Sequence, residues 1–241
     1  MKTIYISIIV VLIFFIIFLF VYVKPRLIKK AKNDMFEFFL ESAWKMRVDW
    51  FKTVNKYIRK DTTVLVGDSL TNEYMVTEML SGKNICNRGI GGDTSDGVLK
   101  RMDVSIFDIN PKQLFLLIGA NDLQSTENSN EAIVDNIKKI CKKSKEFRND
   151  MVINCVSIAP VSEEVLAHVD KDTVGKRANA RIRDINVLIK AMAKKEGYNY
   201  IDLYNFLANE NGSLRGEYTR EGLHFSNLAY EKITEELTSL V

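Results

Sequence analysis

The chain has 241 residues, 46% hydrophobic and 27% charged, a balance that supports a sizeable core and excludes a disordered or low-complexity protein. Its net charge of +3 is too small to mark a nucleic-acid binder, and its length argues for one globular domain plus an extension. The three cysteines, Cys86, Cys141 and Cys155, are odd in number and stand in no CxxC or Cys/His spacing, which argues against a disulfide framework and a metal site.

From Ile4 to Val23 the chain is apolar except for Ser7 and two tyrosines. That is about the twenty residues a bilayer crossing needs, so residues 1–23 are expected to form a transmembrane anchor. A cleavable signal is the alternative, against which stand the length of the run and the lack of a small-x-small site before the basic cluster. Lys24, Arg26, Lys29, Lys30 and Lys32 follow the run, whereas only Lys2 and the terminal amine precede it. The expected placement is therefore single-pass in the cell membrane, with a lean towards a cytoplasmic domain. Residues 24–60 form the basic juxtamembrane segment and a helix. Between Asn33 and Lys60 there is no Gly or Pro, and Phe36, Phe39, Leu40, Trp44, Val48, Phe51 and Ile58 recur at near-helical spacing. Such a helix either packs on the domain or lies at a lipid interface.

Beyond Lys60, strand-like and helical runs alternate. Strands are expected at Thr63 to Val66, Asn84 to Cys86, Gln113 to Ile118, Met151 to Ile158 and Tyr198 to Leu203. Helices are expected at Asn72 to Leu80, after the Gly-rich loop, and at about Asn130 to Phe147, Val174 to Lys195 and Leu228 to Leu240. Lys138, Lys139, Lys142, Lys143 and Lys145 fall at helical spacing beside Ile133, Ile137, Ile140 and Cys141, the expected buried stripe, which describes a solvated helix face rather than a nucleic-acid patch. Five strands with helical crossovers make a mostly parallel sheet covered on both faces, with its site beyond the carboxyl ends of the strands.

Polar residues cluster at those ends. The first strand runs into Gly67-Asp68-Ser69-Leu70, where Ser69 is either a nucleophile at a helix start or an ordinary turn and cap residue. The second empties into Asn87-Arg88-Gly89-Ile90-Gly91-Gly92-Asp93-Thr94, either an anion pocket of backbone amides or a turn in which Asp93 or Thr94 caps the next helix. The third ends in Ile118-Gly119-Ala120-Asn121-Asp122, placing an amide side chain at a third terminus. Of the two histidines, His168 lies in a polar loop, whereas His224 follows an acid by three residues in Glu221-Gly222-Leu223-His224.

Together, Gly-Asp-Ser-Leu, Gly-Gly-Asp-Thr, Gly-Ala-Asn-Asp and Glu-Gly-Leu-His resemble, in order and spacing, the four sequence blocks of the SGNH (GDSL-like) hydrolases. Through Asn87 to Leu99 and Leu116 to Leu123 the chain is most similar to bacterial esterases related to the platelet-activating-factor acetylhydrolase catalytic subunits. The resemblance covers about Thr62 to the carboxyl end, and residues 61–241 are the corresponding domain. It implies a three-layer α/β/α fold of flavodoxin-like topology with a five-stranded, mostly parallel sheet, here preceded by the N-terminal transmembrane helix. It implies Ser69 as nucleophile, His224 as base and Glu221 as the third member, with an oxyanion hole from the Ser69 amide, the Gly92 amide and the Asn121 side chain. It calls for no metal or organic cofactor. The partner would be an acyl-ester substrate, whether small molecule, glycan or lipid, and the membrane would be contacted through the N-terminal helix. Acyl transfer by the same acyl-enzyme and a non-catalytic binding protein remain alternatives. The departure from the family pattern is Glu221, which stands where aspartate is usual. Its extra methylene requires the side chain to fold back or the loop to move.

Overall fold

A computed structural model describes residues 12–125 and 127–241. The chain divides into two compact units, Met1–Lys45 and Met46–Val241, with the boundary inside a long helix, α1, Lys24–Asn55.

In the first unit, residues 12–18 are helical and Leu19–Val23 winds as a π-helix. The expected transmembrane helix over Ile4 to Val23 is corrected here: among the described residues, no helix is long and apolar enough to cross a membrane. Residues 4–11 of that span lie outside the described residues. The described part of the apolar run is residues 12–23. It then runs into Lys24, Arg26, Lys29, Lys30 and Lys32. The single-pass membrane placement, its cytoplasmic lean and the membrane as a partner fall with the helix on which they rested.

In the second unit, β1 (Thr63–Gly67), β2 (Ile85–Gly89), β3 (Gln113–Leu117), β4 (Val152–Val156) and β5 (Asn199–Ile201) form one sheet in the order β2-β1-β3-β4-β5. All four pairings are parallel. The two-residue alternation of side chains divides the core between the faces. Val64, Val66, Leu114 and Leu116 point into one apolar layer, Leu65 and Phe115 into the other.

Helices cover both layers. In chain order from Ser69 they are α2 (Ser69–Asn72), α3 (Val76–Met79), α4 (Ser95–Lys100), α5 (Asp122–Ser125), α6 (Asn130–Phe147), α7 (Lys171–Val174), α8 (Asn179–Glu196), α9 (Leu203–Leu207) and α10 (Asn227–Thr238). Helix α6 is capped by Ser129, whose side chain accepts from Ala132 N, and it buries Ile133, Ile137, Ile140 and Cys141. Its lysines stay outside, three of them in ion pairs with Asp135, Glu146 and Glu196. Cys86, Cys141 and Cys155 are free, buried thiols, with Cys141 Sγ 3.6 Å from Cys155 Sγ.

Three helices differ from expectation, each for a local reason. The stretch Asn72 to Leu80 breaks into α2 and α3 because Asn87 Nδ2 donates to the carbonyls of Thr71 and Tyr74, taking acceptors a continuous helix would use. The long helix begins at Asn179 rather than Val174. Gly175 has φ +63°, and Asn179 exchanges two hydrogen bonds with the backbone of Val161, pinning the helix start to the loop after β4. Helix α9, hidden in an apolar run, is capped by Asp202.

Strand order reverses between β1 and β3, each of which leaves the sheet in the opposite lateral direction. The crevice at that switch point is where doubly wound sheets bind ligands.

Candidate active site

Strand β1 delivers Ser69. Gly67 must lack a side chain, because a Cβ there would collide with Thr71 Oγ1 and the Leu117 carbonyl oxygen. Asp68 leaves the strand with φ −95°, and its carboxylate accepts the Leu70 N–H at 3.0 Å, capping the turn that starts with Ser69. The serine therefore stands at a strand end on a braced turn.

His224 comes from the turn before α10. Thr219 Oγ1 accepts from Gly222 N at 2.7 Å and donates to the His224 carbonyl at 3.0 Å, closing that turn. The ring spans two partners, with Nε2 3.1 Å from Ser69 Oγ and Nδ1 2.6 Å from Glu221 Oε1. A carboxylate at Nδ1 places the ring proton there, leaving the Nε2 lone pair to accept from the serine hydroxyl.

The extra methylene of Glu221 is absorbed by folding back. The same Oε1 also accepts the His224 backbone N–H at 2.9 Å, so the carboxylate closes over its own turn. Its other oxygen lies 3.9 Å from Arg220 Nε, and Arg220 also pairs with Glu73. The backbone is held from the loop after β4: Asp170 N donates to the Glu221 carbonyl, and Ser162 N to the Gly222 carbonyl.

Gly92 ends the loop after β2 with φ +75°, left-handed backbone that favours glycine. Asn121 follows β3, and its Nδ2 donates to the Asp93 carbonyl at 3.0 Å, joining it to the residue after Gly92. Thr94 caps α4 by accepting from Gly97 N. The structure thus brings Ser69, His224 and Glu221 into one chain of contacts, and Gly92 and Asn121 into one loop cluster beside the carboxyl ends of β1 to β3. His168 is not part of it: the ring is exposed, with Nε2 3.2 Å from the Gly216 carbonyl.

Beneath the site lie three buried carboxyls, Asp68, Asp93 and Asp122. Asp93 is paired with Arg101, and Asp122 accepts from the backbone and hydroxyl of Ser95. Burial pushes Asp68 up to about 7; Asp93 and Asp122 add to the rise, while the Leu70 N–H and Arg177 oppose it. The unfolded carboxyl would titrate near its ordinary value of 3.8, so between the two values the native state holds a proton that the unfolded chain releases. This contribution to stability is fully present below about 4 and is lost as pH rises through 7. Asp68→Asn keeps an acceptor for Leu70 N and removes the titration. Chemical denaturation is expected to show the variant gaining on the wild type by a few kcal/mol from pH 5 to pH 8, of the order of 1.4 kcal/mol per unit of pH crossed. An equal difference at the two pH values would contradict this.

Two residues of the site are invisible to motif reading. Arg101 is fully buried under the Gly-rich loop, and Arg177, also buried, reaches Asn121 Oδ1 with Nη2 at 2.7 Å. Both lie in ordinary polar stretches of sequence, and only their contacts single them out.

The doubly wound parallel sheet carries a serine, a histidine and a carboxylate linked by hydrogen bonds beside its switch point, the geometry of a serine hydrolase. The model of the GDSL-like Lipase/Acylhydrolase family matches residues 65–232, and the chain belongs to that family. It is accordingly a serine ester hydrolase. Among curated proteins, the chain is 24% identical to platelet-activating factor acetylhydrolase IB subunit alpha2 of Rattus norvegicus, over 80% of this chain and 83% of that one. It is also 24% identical to the N-acylneuraminate cytidylyltransferase of Escherichia coli O18:K1:H7, over 78% of this chain but only 42% of that longer protein. A solved structure from Streptococcus pneumonia, described as a platelet activating factor, superposes with a TM-score of 0.81 at 23% identity, covering 88% of this chain and 98% of that one.

Proposed function

We propose that the chain hydrolyses short acyl esters, acetyl esters foremost, through a covalent acyl-enzyme on Ser69. The observation that carries this reading is the unbroken run from Ser69 Oγ through both ring nitrogens of His224 to Glu221. His224 Nε2 takes the hydroxyl proton as Oγ bonds to the ester carbonyl carbon, and Glu221 stabilises the resulting imidazolium. The negative charge then on the former carbonyl oxygen is met by the Ser69 and Gly92 amides and by Asn121 Nδ2. Donors of this kind contribute about 3 kcal/mol each in other acyl-transfer enzymes. Collapse breaks the carbon–oxygen bond to the alcohol, which leaves with the proton from Nε2. Water, deprotonated by the same nitrogen, then releases the acid. The preference for acetyl is drawn from the similarity to platelet-activating factor acetylhydrolase IB subunit alpha2.

A p-nitrophenyl ester series from acetate to palmitate tests the reading. Hydrolysis of acetate and butyrate is expected to exceed that of the long esters. No hydrolysis of any member would leave a binding protein that has kept the pocket, and faster release in the presence of an added alcohol, with the alcohol's ester as product, would reveal acyl transfer.

A further inference from the structure

Asn121 can stabilise an oxyanion only if its amide presents nitrogen, and not oxygen, to the reacting carbonyl. An isolated asparagine has no such preference. Here both ends of the amide are assigned. Nδ2 donates one hydrogen to the Asp93 carbonyl at 3.0 Å, and Oδ1 accepts from Arg177 Nη2 at 2.7 Å. Reversing the amide would set oxygen against the Asp93 carbonyl and nitrogen against the guanidinium, two repulsive contacts in place of two bonds. One N–H of Nδ2 is left over for the oxyanion.

The guanidinium is itself immobilised. Nε donates to the Ala120 carbonyl at 3.0 Å, and Nη1 to the carbonyls of Thr173 and Val174, each at 3.1 Å. The fork therefore straddles the loop after β3 and helix α7. Just before α7, the same loop supplies the Asp170 N–H that holds the Glu221 carbonyl, and Val174 packs where a side chain on Gly222 would project. The side chain is 7% exposed, so its charge is weakly screened.

We propose that Arg177 is a positioning residue of the oxyanion hole: it locks the Asn121 amide with nitrogen towards the reacting carbonyl, polarises that amide with a buried positive charge, and ties it to the loop that braces the Glu221 turn. The proposal rests on the reading of Ser69 and Asn121 given above. Lysine cannot replace it, because a single ammonium cannot serve Ala120, Asn121 and α7 from a planar fork.

The test is a double-mutant cycle on the full chain with p-nitrophenyl acetate, comparing Asn121→Ala, Arg177→Met and the double variant, with Ser69→Ala as control. Arg177→Met is expected to lower kcat by ~10- to 100-fold, approaching the loss on deleting an oxyanion donor, with KM within about twofold of wild type. The double variant is expected to match Asn121→Ala, since Arg177 acts through an amide that is already gone. Arg177→Lys, read in the same cycle, is expected to lose kcat likewise and serves if the methionine variant does not fold. Losses that multiply in the double variant, or an Arg177 effect on KM alone, would overturn the proposal. Residual turnover by Ser69→Ala equal to wild type would instead overturn the underlying reading of the site.

Discussion

Ser69→Ala is expected to lower kcat for p-nitrophenyl acetate by about four to six orders of magnitude, as removal of the nucleophile does in other serine hydrolases. The remaining oxyanion donors would still bind and polarise the ester, but no acyl-enzyme could form, and hydrolysis would fall to direct attack by water. The fold should survive. The hydroxyl's partner is His224 Nε2, whereas the turn around it is held by the Asp68 carboxylate on Leu70 N and by Tyr230 Oη donating to the Leu70 carbonyl. The melting temperature should therefore stay within about 2 °C of wild type, as for a substitution away from core packing. A fluorophosphonate probe should label the wild type and leave the variant unlabelled. Equal labelling of both, or retained turnover in a folded variant, would remove Ser69 from the role of nucleophile.

The second large effect is on stability. Arg101 is buried beneath the Gly-rich loop, where Nε donates to Asp93 Oδ2 at 2.6 Å, Nη1 to the Arg88 carbonyl and Ser105 Oγ, and Nη2 to the Gly67 carbonyl. One side chain thus ties the ends of β1 and β2 to the loop that carries Gly92. Its pair with Asp93 has side-chain exposures of 0% and 2%, so solvent screens it little. Arg101→Met fills much of the same volume but removes the cation paired with the buried Asp93, which keeps the Thr94 N–H, and takes one donor from each of the Gly67 carbonyl, the Arg88 carbonyl and Ser105 Oγ. Breaking a buried pair from one side costs about 3–5 kcal/mol, chiefly the penalty of a buried carboxylate that has lost its countercharge. Urea unfolding should report a loss of that size, with the melting point falling by roughly 10 °C at 2–4 °C per kcal/mol. Activity should fall as well, because Gly92 and Ser69 both stand on segments that Arg101 holds. A cost under about 1 kcal/mol would mean that Asp93 takes up its proton or finds a new partner, and that the pair is close to neutral in net effect.

The acid member of the site shows how far local sequence reaches. Its position three residues before His224 in a glycine-containing turn is a sequence fact, and so is the extra methylene of Glu221. Which of two geometries absorbs that methylene depends on the turn itself. Thr219 Oγ1 bridges Gly222 N and the His224 carbonyl, and this brings the His224 N–H to where Glu221 Oε1 can accept it together with Nδ1. No rule of residue spacing contains that bridge.

Periodicity by itself determined the five strands, because buried parallel strands need continuous apolar runs, and it determined the polar clusters at their carboxyl ends, because a parallel sheet gathers those ends on one edge. It also determined α6, whose apolar stripe and Ser129 cap agree with each other. Tertiary structure decided what depends on groups far apart in the chain. Asn87 reaches back to cut the helix after Ser69, Asn179 is drawn to Val161 and delays α8, Arg101 finds an acceptor at the end of β1, and Arg177 finds one in the loop after β3. Hydrophobicity has a period that a sequence displays. A buried guanidinium has none, since its stability comes from acceptors that only the folded chain brings within 3 Å of it. The N-terminal run is the converse case. Composition alone suggested a span, but crossing a membrane requires one uninterrupted apolar helix of sufficient length, and no described helix meets that requirement.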